Sequence, residues 1–518
     1  MVRLVTREQQ RWLDQAYSEA TGLPSIVLME QAAAGLSCQL IERLTWNDRD
    51  DATVDVVYLA GPGMNGGDAW ASARQLLARG HRVLVFDACA HQPADGDRAT
   101  NMHAYYAMGG ESVDQTEALV GQVPKIIVDA LFGTGFRPDR ALPDWATSAF
   151  MYLRHWKGDA MIVACDIPSG VDANTGQSID RAVEADVTVT FGRPKIGLVT
   201  HPGALKAGRV EVAPIGMSDA FVERVLAKDA RGVFTVDETT YPLLLPRHAR
   251  DGHKGQFGRA LLIGGAEGMA GALVLAARAS ERVGVGYTMV RAPKASLPVI
   301  ASAIPSALMS AVPETGDATK HDLPAPTAVA VGIGAGDAPW VVKALTRLLG
   351  QSTPVIIDAD GLNALAKMPN AEKLLKKRVD AGHAPAVLTP HPGEFKRLAP
   401  DLEDLLAADR VEAAKALADR MHAIVVLKGM ATVVAEPGGA VTLNMSGNVG
   451  LAKGGSGDVL TGMIVGLAAQ SDDLADAVRR AVYLHGYAAD IAAARMLSEA
   501  VVTPEDVLNA VGEASLPQ

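Results

Sequence analysis

Short apolar segments alternate with helical patterns along most of this 518-residue chain. In the first half, an apolar run at 54–60 leads through a glycine-rich turn into a helical pattern at about 68–79, and another apolar run follows at 82–86. A strand–helix–strand unit of this kind places its two strands parallel in one sheet. Further apolar runs at 125–130, 161–165 and 187–191 each lead into aspartate, glycine or proline. We therefore predict a doubly wound α/β sheet over about residues 50–215.

The same alternation returns in the second half, after a break in the pattern. Residues 217–258 are mixed and polar, so we place a domain boundary near 218–231. Beyond the break, apolar runs recur and are mostly separated by helical stretches, at 259–263, 327–331, 354–357, 386–388 and 424–427. The sequence thus predicts a second α/β domain.

The charge balance argues against several classes of partner. The chain has 48 Lys and Arg against 59 Asp and Glu, a formal net charge of −11, which disfavours binding to nucleic acid or to an anionic membrane. No uncharged apolar run reaches the ~20 residues that cross a bilayer, and the three cysteines are too far apart to suggest a disulfide framework or a zinc site. We expect a cytoplasmic protein, and a low-charge apolar surface around residues 28–40 suggests a homo-oligomer.

A glycine motif in the first half points to a ligand. Gly61-Pro62-Gly63-Met64-Asn65-Gly66 follows a predicted strand and Asp87 ends the next one, which is the pattern of a dinucleotide-binding turn. The alternative is a tight turn without a ligand. Three polar side chains follow neighbouring strands and are expected to share a crevice with Asn65 and Asp68; they are Asp129, Asp166 and Ser169. Their oxygens suit a hard cation, although Asp129 and Asp166 could instead only cap turns.

A second glycine motif opens directly onto a predicted apolar helix. It comprises Asn448, Gly450 and the run Gly454-Gly455-Ser456-Gly457-Asp458. Backbone N–H groups at such a helix start hold phosphoryl oxygens, and Asp458 is placed to accept a proton from an attacking hydroxyl. The alternative is an aspartate that only favours the helix dipole. We predict a polar ligand contact for His391 and a core position for His485.

The first half resembles the NAD(P)H-hydrate epimerase family over most of residues 1–217. The resemblance rests on Asn65-Gly66-Gly67-Asp68, on the segments 129–135 and 166–176, and on Phe191-Gly192-x-Pro194-Lys195. It implies a potassium ion held by Asn65, Asp129 and Ser169. It also implies substrate contacts from Met64, Asn65, Gly66, Gly67, Asp68, Gly133, Thr134, Gly135, Phe136, Arg137, Pro138, Asp139 and Asp166. Met64 and Ala69 replace the family's usual outer Asn and Gly.

The implied substrate is a nicotinamide ring hydrated at C6. Its hydroxyl leaves as the ring nitrogen donates electrons, and water adds back from the other face, which inverts the centre. This path needs a proton donor and a proton acceptor. We assign that acid–base role to Asp166, with Lys195 as the second candidate.

The second half resembles the ribokinase-like, ADP-dependent NAD(P)H-hydrate dehydratases over nearly all of residues 231–515. The matching segments are 253–258, 358–363, 388–394, 426–429 and 448–458. By resemblance, the hydrated dinucleotide contacts Gly334, His391, Pro392, Gly393, Glu394, Phe395, Lys396, Arg397 and Asp458. The adenine nucleotide contacts Lys428, Gly429, Met430, Ala431, Thr432, Asn448, Gly454, Gly455, Ser456 and Gly457. Ile333, Ala335 and Lys453 depart from the usual pattern.

The implied reaction transfers a phosphoryl group from ADP to the C6 hydroxyl and then eliminates phosphate. Asp458 activates the hydroxyl. Magnesium is expected because transferring phosphoryl oxygens need a divalent counter-charge. Asp358, Asp360 and Glu394 are its candidate ligands, and each is alternatively a loop cap.

Together these inferences predict an enzyme with two domains. Residues 1–220 are expected to form a Rossmann-like three-layer αβα epimerase domain, and residues 228–515 a ribokinase-like dehydratase domain. The chain would interconvert the R and S hydrates of NADH and NADPH and restore the S form with ADP, releasing AMP and phosphate. Three alternatives remain open at this point. They are a sugar or vitamin kinase with an accessory nucleotide-binding domain, an NAD-dependent dehydrogenase, and a non-catalytic nucleotide sensor.

Overall fold

The computed structural model describes residues 1–45, 51–90, 95–227, 229, 232–236, 240–241, 243–246, 251–313 and 322–516. The chain divides into two compact units, residues 3–230 and residues 231–518, the second of which also includes residues 1–2. The division falls at the end of the predicted boundary segment, 218–231.

Strands and helices alternate in the amino-terminal part of the chain. In order, they are β1 (Val2–Leu4), α1 (Arg7–Thr21), α2 (Ser25–Thr45), β2 (Val54–Ala60), α3 (Met64–Leu77), β3 (Val83–Asp87), α4 (Gly96–Ala107), β4 (Glu111–Val113), β5 (Pro124–Ala130), α5 (Asp144–Trp156), β6 (Met161–Cys165), β7 (Val187–Phe191), α6 (Ile196–Val199), α7 (Gly203–Ala207), β8 (Arg209–Ala213) and α8 (Asp219–Leu226). A 3₁₀ turn covers Thr116–Leu119.

The sheet of this unit is parallel, with the strand order β4-β3-β2-β5-β6-β7-β8. Alternate residues of β2 enter opposite cores: Val56 and Tyr58 pack with α2 and α3, whereas Val57 and Leu59 pack with α5. Helices therefore cover both faces, which confirms the predicted three-layer α/β arrangement. The chain reverses its direction across the sheet between β2 and β5, and ligands bind beside the carboxyl ends of strands at such a point.

The glycine motif after β2 differs from its prediction as a loop. Helix α3 begins at Met64, not near 68, so Gly66 and Gly67 lie in its first turn. The backbone packs too closely for side chains here: a Cβ on Gly66 would lie 2.0 Å from the Gly61 carbonyl oxygen, and one on Gly61 would lie 1.9 Å from that of Leu131. The motif thus brings the helix start against the ends of β2 and β5.

The apolar face of α2 is also placed differently from the prediction. Leu36 and Leu40 are fully buried, and the buried side of α2 packs on α3 within the same unit. The apolar residues around 28–40 are therefore core, and they do not form the exposed surface that suggested subunit pairing.

Strands and helices also alternate along much of the second unit. Its elements are β9 (Val233–Val236), β10 (Arg259–Gly264), α9 (Ala270–Arg282), β11 (Tyr287–Ala292), α10 (Leu297–Ala303), β12 (Leu308–Ala311), β13 (Ala328–Ile333), α11 (Pro339–Leu348), β14 (Val355–Ile357), α12 (Asp360–Ala366), α13 (Ala371–Asp380), β15 (Val387–Leu388), α14 (Pro392–Leu398), α15 (Glu403–Ala408), α16 (Arg410–Met421), β16 (Ile424–Leu427), β17 (Thr432–Ala435), β18 (Val441–Asn444), α17 (Ser456–Ala468), α18 (Leu474–Met496) and α19 (Pro504–Ala514). Short 3₁₀ turns cover Pro400–Leu402, Val449–Leu451 and Glu499–Val501.

From β9 onwards the strand order is β9-β18-β17-β16-β15-β14-β13-β10-β11-β12. The pairs β16–β17 and β17–β18 are antiparallel and the other pairs are parallel. The direction reverses between β10 and β13, so the ends of β13, β14, β15 and β16 lie side by side. Helix α8 and strand β9 lie within residues 217–258, for which the sequence pattern predicts no helix or strand. Within the described ranges, no helix is long and apolar enough to cross a membrane.

Candidate active sites

A cavity of about 510 Å³ lies at the carboxyl ends of the strands in the first unit. It is lined by residues of α1, α2 and α3 and by the segments that follow β5, β6 and β7. The predicted residues on its wall are Met64, Asn65, Asp68, Gly133, Thr134, Gly135, Phe136, Arg137, Asp166 and Lys195. Gly66, Gly67, Pro138 and Asp139 are not on the wall, and the first two instead pack inside α3.

Two loops at this edge are joined by the buried pair Asp129 and Ser169. The Asp129 carboxylate accepts hydrogen bonds from the Ser169 hydroxyl at 2.6 Å and from its backbone N–H at 2.7 Å. Burial raises the pKa of Asp129 to about 6, against the hydrogen bonds from Ser169. The Ser169 hydroxyl in turn accepts from the Phe132 N–H at 2.9 Å. Asp129 is thus more than a local turn cap, because it ties the end of β5 to the end of β6.

Asn65 brings one polar atom without a partner to the same place. Its Nδ2 donates to the Phe132 carbonyl oxygen at 3.1 Å, which also accepts from the Ser169 hydroxyl at 3.3 Å. Its Oδ1 is buried and has no hydrogen-bond partner. Oxygen atoms from three segments converge here, and an unpartnered buried carbonyl oxygen is a ligand that a hard cation satisfies. Among the described residues no group of three or more His, Cys, Asp or Glu is placed to hold a metal ion.

Asp166 and Lys195 form an ion pair on the cavity wall. The Lys195 ammonium is fully buried and donates to Asp166 Oδ1 at 2.5 Å, to the Thr190 hydroxyl at 3.1 Å and to the Phe191 carbonyl oxygen at 2.9 Å. Thr190 and the Phe191 N–H also donate to Asp166 Oδ1, at 2.9 and 3.2 Å. Asp166 has a φ of +65°, a strained value for a residue with a side chain. The surrounding structure therefore fixes one carboxylate oxygen and aims the group into the cavity.

Two further carboxylates line the cavity, and one of them, Asp14, was not predicted from the sequence. Asp14 comes from α1, where it accepts a hydrogen bond from Gln10 Nε2 at 2.8 Å. Asp68 comes from α3. Burial raises the pKa of both, and the charge of Asp166 adds to the effect; for Asp68 the charge of Asp14 adds as well, and Lys195 opposes it. The helical pattern predicted α1, but it did not show that α1 lies over the strand ends.

The residues expected of an NAD-binding turn are used differently. Asp87, which would bind a ribose in such a site, is buried and pairs with Arg98 at 2.8 Å. It also accepts from the Cys89 N–H at 3.0 Å. The carboxylate is therefore engaged within the fold, which disfavours the dehydrogenase alternative.

In the second unit, Asp358 lies at the centre of a buried network. One of its carboxylate oxygens accepts from Thr389 at 2.7 Å and from the Lys428 ammonium at 2.9 Å, and the other accepts from Thr461 at 2.7 Å. Burial alone would raise the pKa of Asp358, but Lys428 and the two hydroxyls outweigh it and lower that pKa. Both oxygens accept hydrogen bonds, so Asp358 ties β14 to β15, β16 and α17.

The other two predicted magnesium ligands also cap backbone groups. Asp360 accepts from the Gly336 N–H at 2.8 Å. Glu394 accepts from the His391 N–H at 2.8 Å, while His391 Nδ1 accepts from the Gly393 N–H at 3.0 Å, so the two side chains cap α14 reciprocally. The second Glu394 oxygen is freer, because its partner His391 Nε2 lies 3.5 Å away. The predicted ligand contact of His391 is therefore available only to Nε2.

The second glycine motif forms the start of α17. Gly455 has a φ of +100° and precedes the helix, which places Asp458 in its first turn. Burial raises the pKa of Asp458 to about 6, and the charge of Asp358 adds to this effect. The Lys428 ammonium is close to this turn, 3.5 Å from where a Cβ on Gly457 would be. The site therefore combines a helix amino terminus, a lysine and an aspartate with a raised pKa.

His485 is buried, as predicted, and it interacts with the backbone of Ser456 at the start of α17. Burial lowers its pKa to about 4, and the backbone of Ser456 partly opposes the shift. Its Nε2 and the Ser456 hydroxyl are both buried without hydrogen-bond partners. Since Ser456 is the first residue of α17, His485 lies behind the start of that helix.

The remaining residues singled out in the second half lie before α17, after β16 and after β13. The Asn448 amide is engaged within the fold, with Asp490 at 2.9 Å and the Gly450 N–H at 3.0 Å. Lys453 donates to the carbonyl oxygens of Ala500 and Val502 at 2.7 and 2.6 Å, which explains why a long side chain is accommodated there. In the segment after β16, Gly429 and Ala431 have positive φ values and the Met430 side chain is exposed. Thr432 begins β17, and Gly334 follows β13 with a φ of +53°.

Comparisons with known proteins show the family. A family model described as NAD(P)H-hydrate dehydratase matches residues 260–511, and one described as YjeF-related protein N-terminus matches residues 25–197. The bifunctional NAD(P)H-hydrate repair enzyme Nnr of Moorella thermoacetica is 36% identical and covers 98% of this chain and 95% of its own length. The enzyme of the same name from Escherichia coli is 34% identical over 85% of this chain and 81% of its own.

Solved structures are also similar to the second half. The ADP/ATP-dependent NAD(P)H-hydrate dehydratase of Bacillus subtilis, co-crystallised with ATP and Mg²⁺, is 33% identical, with a TM-score of 0.49 over 54% of this chain and 97% of that one. The family assignment rests on the full-length relatives. With 36% identity to one of them along nearly its whole length, this chain belongs to the bifunctional NAD(P)H-hydrate repair enzymes, which join an epimerase and a dehydratase in one polypeptide.

Proposed function

We propose that residues 1–220 form the epimerase domain and residues 228–515 the dehydratase domain, with the two sites described above as their active sites. The observation that carries the proposal is the pair of convergent strand ends. In the first unit, the segments after β5, β6 and β7 border a cavity that Asp166 lines. In the second unit, the Lys428 ammonium after β16 lies near the first turn of α17, which contains Asp458.

In the epimerase site, the Asp166 carboxylate accepts the proton of the water that adds back to C6 of the ring. The Lys195 pair and the Thr190 hydroxyl fix its Oδ1, so the other oxygen serves the substrate. Three exposed arginines on the cavity wall supply positive charge for the dinucleotide's pyrophosphate; they are Arg11, Arg137 and Arg140. Met64, where the family usually has Asn, is 57% exposed and gives an apolar contact at the cavity edge.

Potassium in this domain is held by Asn65 Oδ1, Asp129 and Ser169. The support is the buried, unpartnered Asn65 oxygen beside the Asp129–Ser169 pair. When bound, the ion supplies a positive charge that offsets the buried carboxylate.

In the dehydratase site, Asp458 takes the proton from the C6 hydroxyl as that oxygen attacks the nucleotide's terminal phosphorus. The free N–H groups of α17 and the Lys428 ammonium stabilise the transferred phosphoryl oxygens. Magnesium would be held by the nucleotide's phosphates together with one or two carboxylates, and it would supply the positive charge that the transferring phosphoryl oxygens need. Glu394 is the candidate carboxylate for it, since one Glu394 oxygen lies 3.5 Å from its nearest partner, His391 Nε2.

Two broader predictions are retained as proposals. Substrates of this kind, reduced nicotinamide nucleotides and ADP, place the enzyme in the cytoplasm, and Cys38, Cys89 and Cys165 are free thiols. The homo-oligomer has lost its original support, since the apolar face of α2 is core. Light scattering of the purified chain measures its mass in solution directly.

The experiment that tests the proposal starts from a mixture of R- and S-hydrated NADH with ADP, Mg²⁺ and K⁺. NADH recovery is followed by absorbance and AMP by chromatography. We expect full recovery with one AMP for each NADH. Recovery of only the S share above the spontaneous rate would remove the epimerase assignment. No recovery, with phosphorylation of a sugar or vitamin instead, would favour the kinase alternative, and binding without ADP consumption would favour a sensor.

A further inference from the structure

The epimerase cavity contains more carboxylates than its buried cation can pair with. Asp14, Asp68 and Asp166 line it together. Among the described lining residues, Lys195 is the buried cation, and its ammonium is committed to Asp166 at 2.5 Å. In the part of the chain that the structure describes, Asp68 has neither a hydrogen bond nor an ion pair.

The remaining cations of the cavity do not neutralise Asp68. Arg11 on α1 and Arg137 and Arg140 in the segment after β5 are all exposed, so solvent screens their charges. The charged groups that face Asp68 from the packed elements are therefore Asp14, Asp166 and Lys195. One positive charge among three half-buried carboxylates favours retention of a proton by one of them.

The epimerase reaction needs such a proton. The C6 hydroxyl leaves as water only if it gains a proton, and water that returns to the opposite face must lose one. A single carboxylate that is tightly paired with a lysine serves one of these steps better than both, because donor and acceptor must be in opposite protonation states.

We propose that Asp68 is the proton donor for the departing hydroxyl, that Asp166 accepts the proton of the returning water, and that Asp14 is a positioning residue whose negative charge keeps the proton on Asp68. This inference rests on the proposed location of the epimerase site in this cavity.

The step balances without a further reactant. Asp68 transfers its proton to the C6 oxygen, the C–O bond breaks with its electron pair, and the ring nitrogen's lone pair forms a C=N bond. Water then attacks C6 from the other face, the nitrogen recovers its pair, and Asp166 takes the released proton. Proton exchange with the product water returns Asp68 and Asp166 to their starting states.

The test uses the full-length chain and measures R-to-S conversion of hydrated NADH by chromatography between pH 5 and 9. Asp68→Asn is expected to slow conversion by about 10² to 10⁴. Asp14→Asn is expected to retain much of the rate at low pH. Its falling limb at high pH should move by about one unit towards acid, because removing a nearby negative charge lowers the pKa of Asp68.

Two controls separate this role from a structural one. Glu19→Gln removes a carboxylate from an exposed part of the same helix, outside the cavity, and should leave the pH profile unchanged. The free energy of unfolding of the first unit, measured by urea unfolding with hydrogen exchange in α3, reports intact folding in every variant. Wild-type conversion by Asp68→Asn overturns the donor assignment, and an unshifted pH limb in Asp14→Asn overturns the positioning role. If the wild-type chain itself does not interconvert the epimers, it is the proposed site function that fails.

Discussion

The two candidate sites treat their buried charges in opposite ways. In the dehydratase site, Asp358 and Lys428 form a buried ion pair, and the Asp358 carboxylate also accepts hydrogen bonds from Thr389 and Thr461. In the epimerase cavity, Lys195 pairs with one aspartate and leaves two others near it. The first arrangement suits a ligand that brings its own phosphates and metal ion. The second suits a ligand with a nearly neutral reacting ring, since the protein must then supply the proton itself.

The comparison predicts that each reaction fails separately, and the largest effect is expected at Asp458. Asp458→Asn keeps the shape of the side chain but removes the proton acceptor, so dehydration should slow by about 10³ to 10⁴. Epimerisation measured on the same sample should be unchanged. A parallel loss of both activities would show that the domains are not independent.

The stability of the second unit should depend on the ion pair between Asp358 and Lys428. Lys428→Met leaves the Asp358 carboxylate, which is 2% exposed, without its cation, at an expected cost of about 3–5 kcal/mol in the free energy of unfolding of the second unit. Urea unfolding followed by hydrogen exchange in α17 measures this cost. The double variant with Asp358→Asn should recover part of the loss, and full additivity of the two single costs would argue against a direct pair.

Potassium should affect the epimerase alone. Asn65→Ala removes the unpartnered buried oxygen, so we expect about a tenfold higher K⁺ requirement for epimerisation, comparable to the loss of a supporting group at other metal sites. Titration of K⁺ at constant ionic strength, with Na⁺ as the replacing ion, measures it. The dehydratase rate serves as the control, and equal activation of wild type and variant would exclude Asn65 as a ligand.

The smallest expected effect is the fall of dehydratase kcat/KM at acid pH. Asp458 must be ionised to accept a proton, and burial together with Asp358 raises its pKa to about 6. kcat/KM for the S hydrate should therefore be level above that value and fall about tenfold per unit below it. The residual activity of Asp458→Asn should show no such limb. A limb near pH 4 in the wild type would mean that the site of the free enzyme does not raise the pKa of this aspartate.

The strand pattern predicted the architecture closely, because alternating apolar runs report burial directly. Strands at 54–60, 161–165, 187–191 and 424–427 match the structure at both ends. The start of α3 did not match, since glycine reads as a helix breaker when the tight packing of Gly66 on Gly61 is unknown. The family and the two activities were predicted correctly from motifs.

The site itself was only partly predictable. Asn65, Asp129, Asp166 and Ser169 were found because strand ends converge in a parallel sheet. Asp14 lies on an amphipathic helix whose position over the sheet is a tertiary fact, so no local signal marks it. The engagement of Asp358 by Thr461 likewise joins residues 103 positions apart, which spacing along the chain does not reveal.

The close packing at the start of α3 also limits how this cavity can change. Backbone atoms fill the space where side chains at Gly61 and Gly66 would be, so no side chain can be added at either position without moving a strand end. New preferences among hydrated nucleotides must instead arise at the wall, where exposed arginines follow β5 or lie on α1. A library that varies only Arg11, Arg137 and Arg140 should therefore yield altered selectivity far more often than one directed at the glycines.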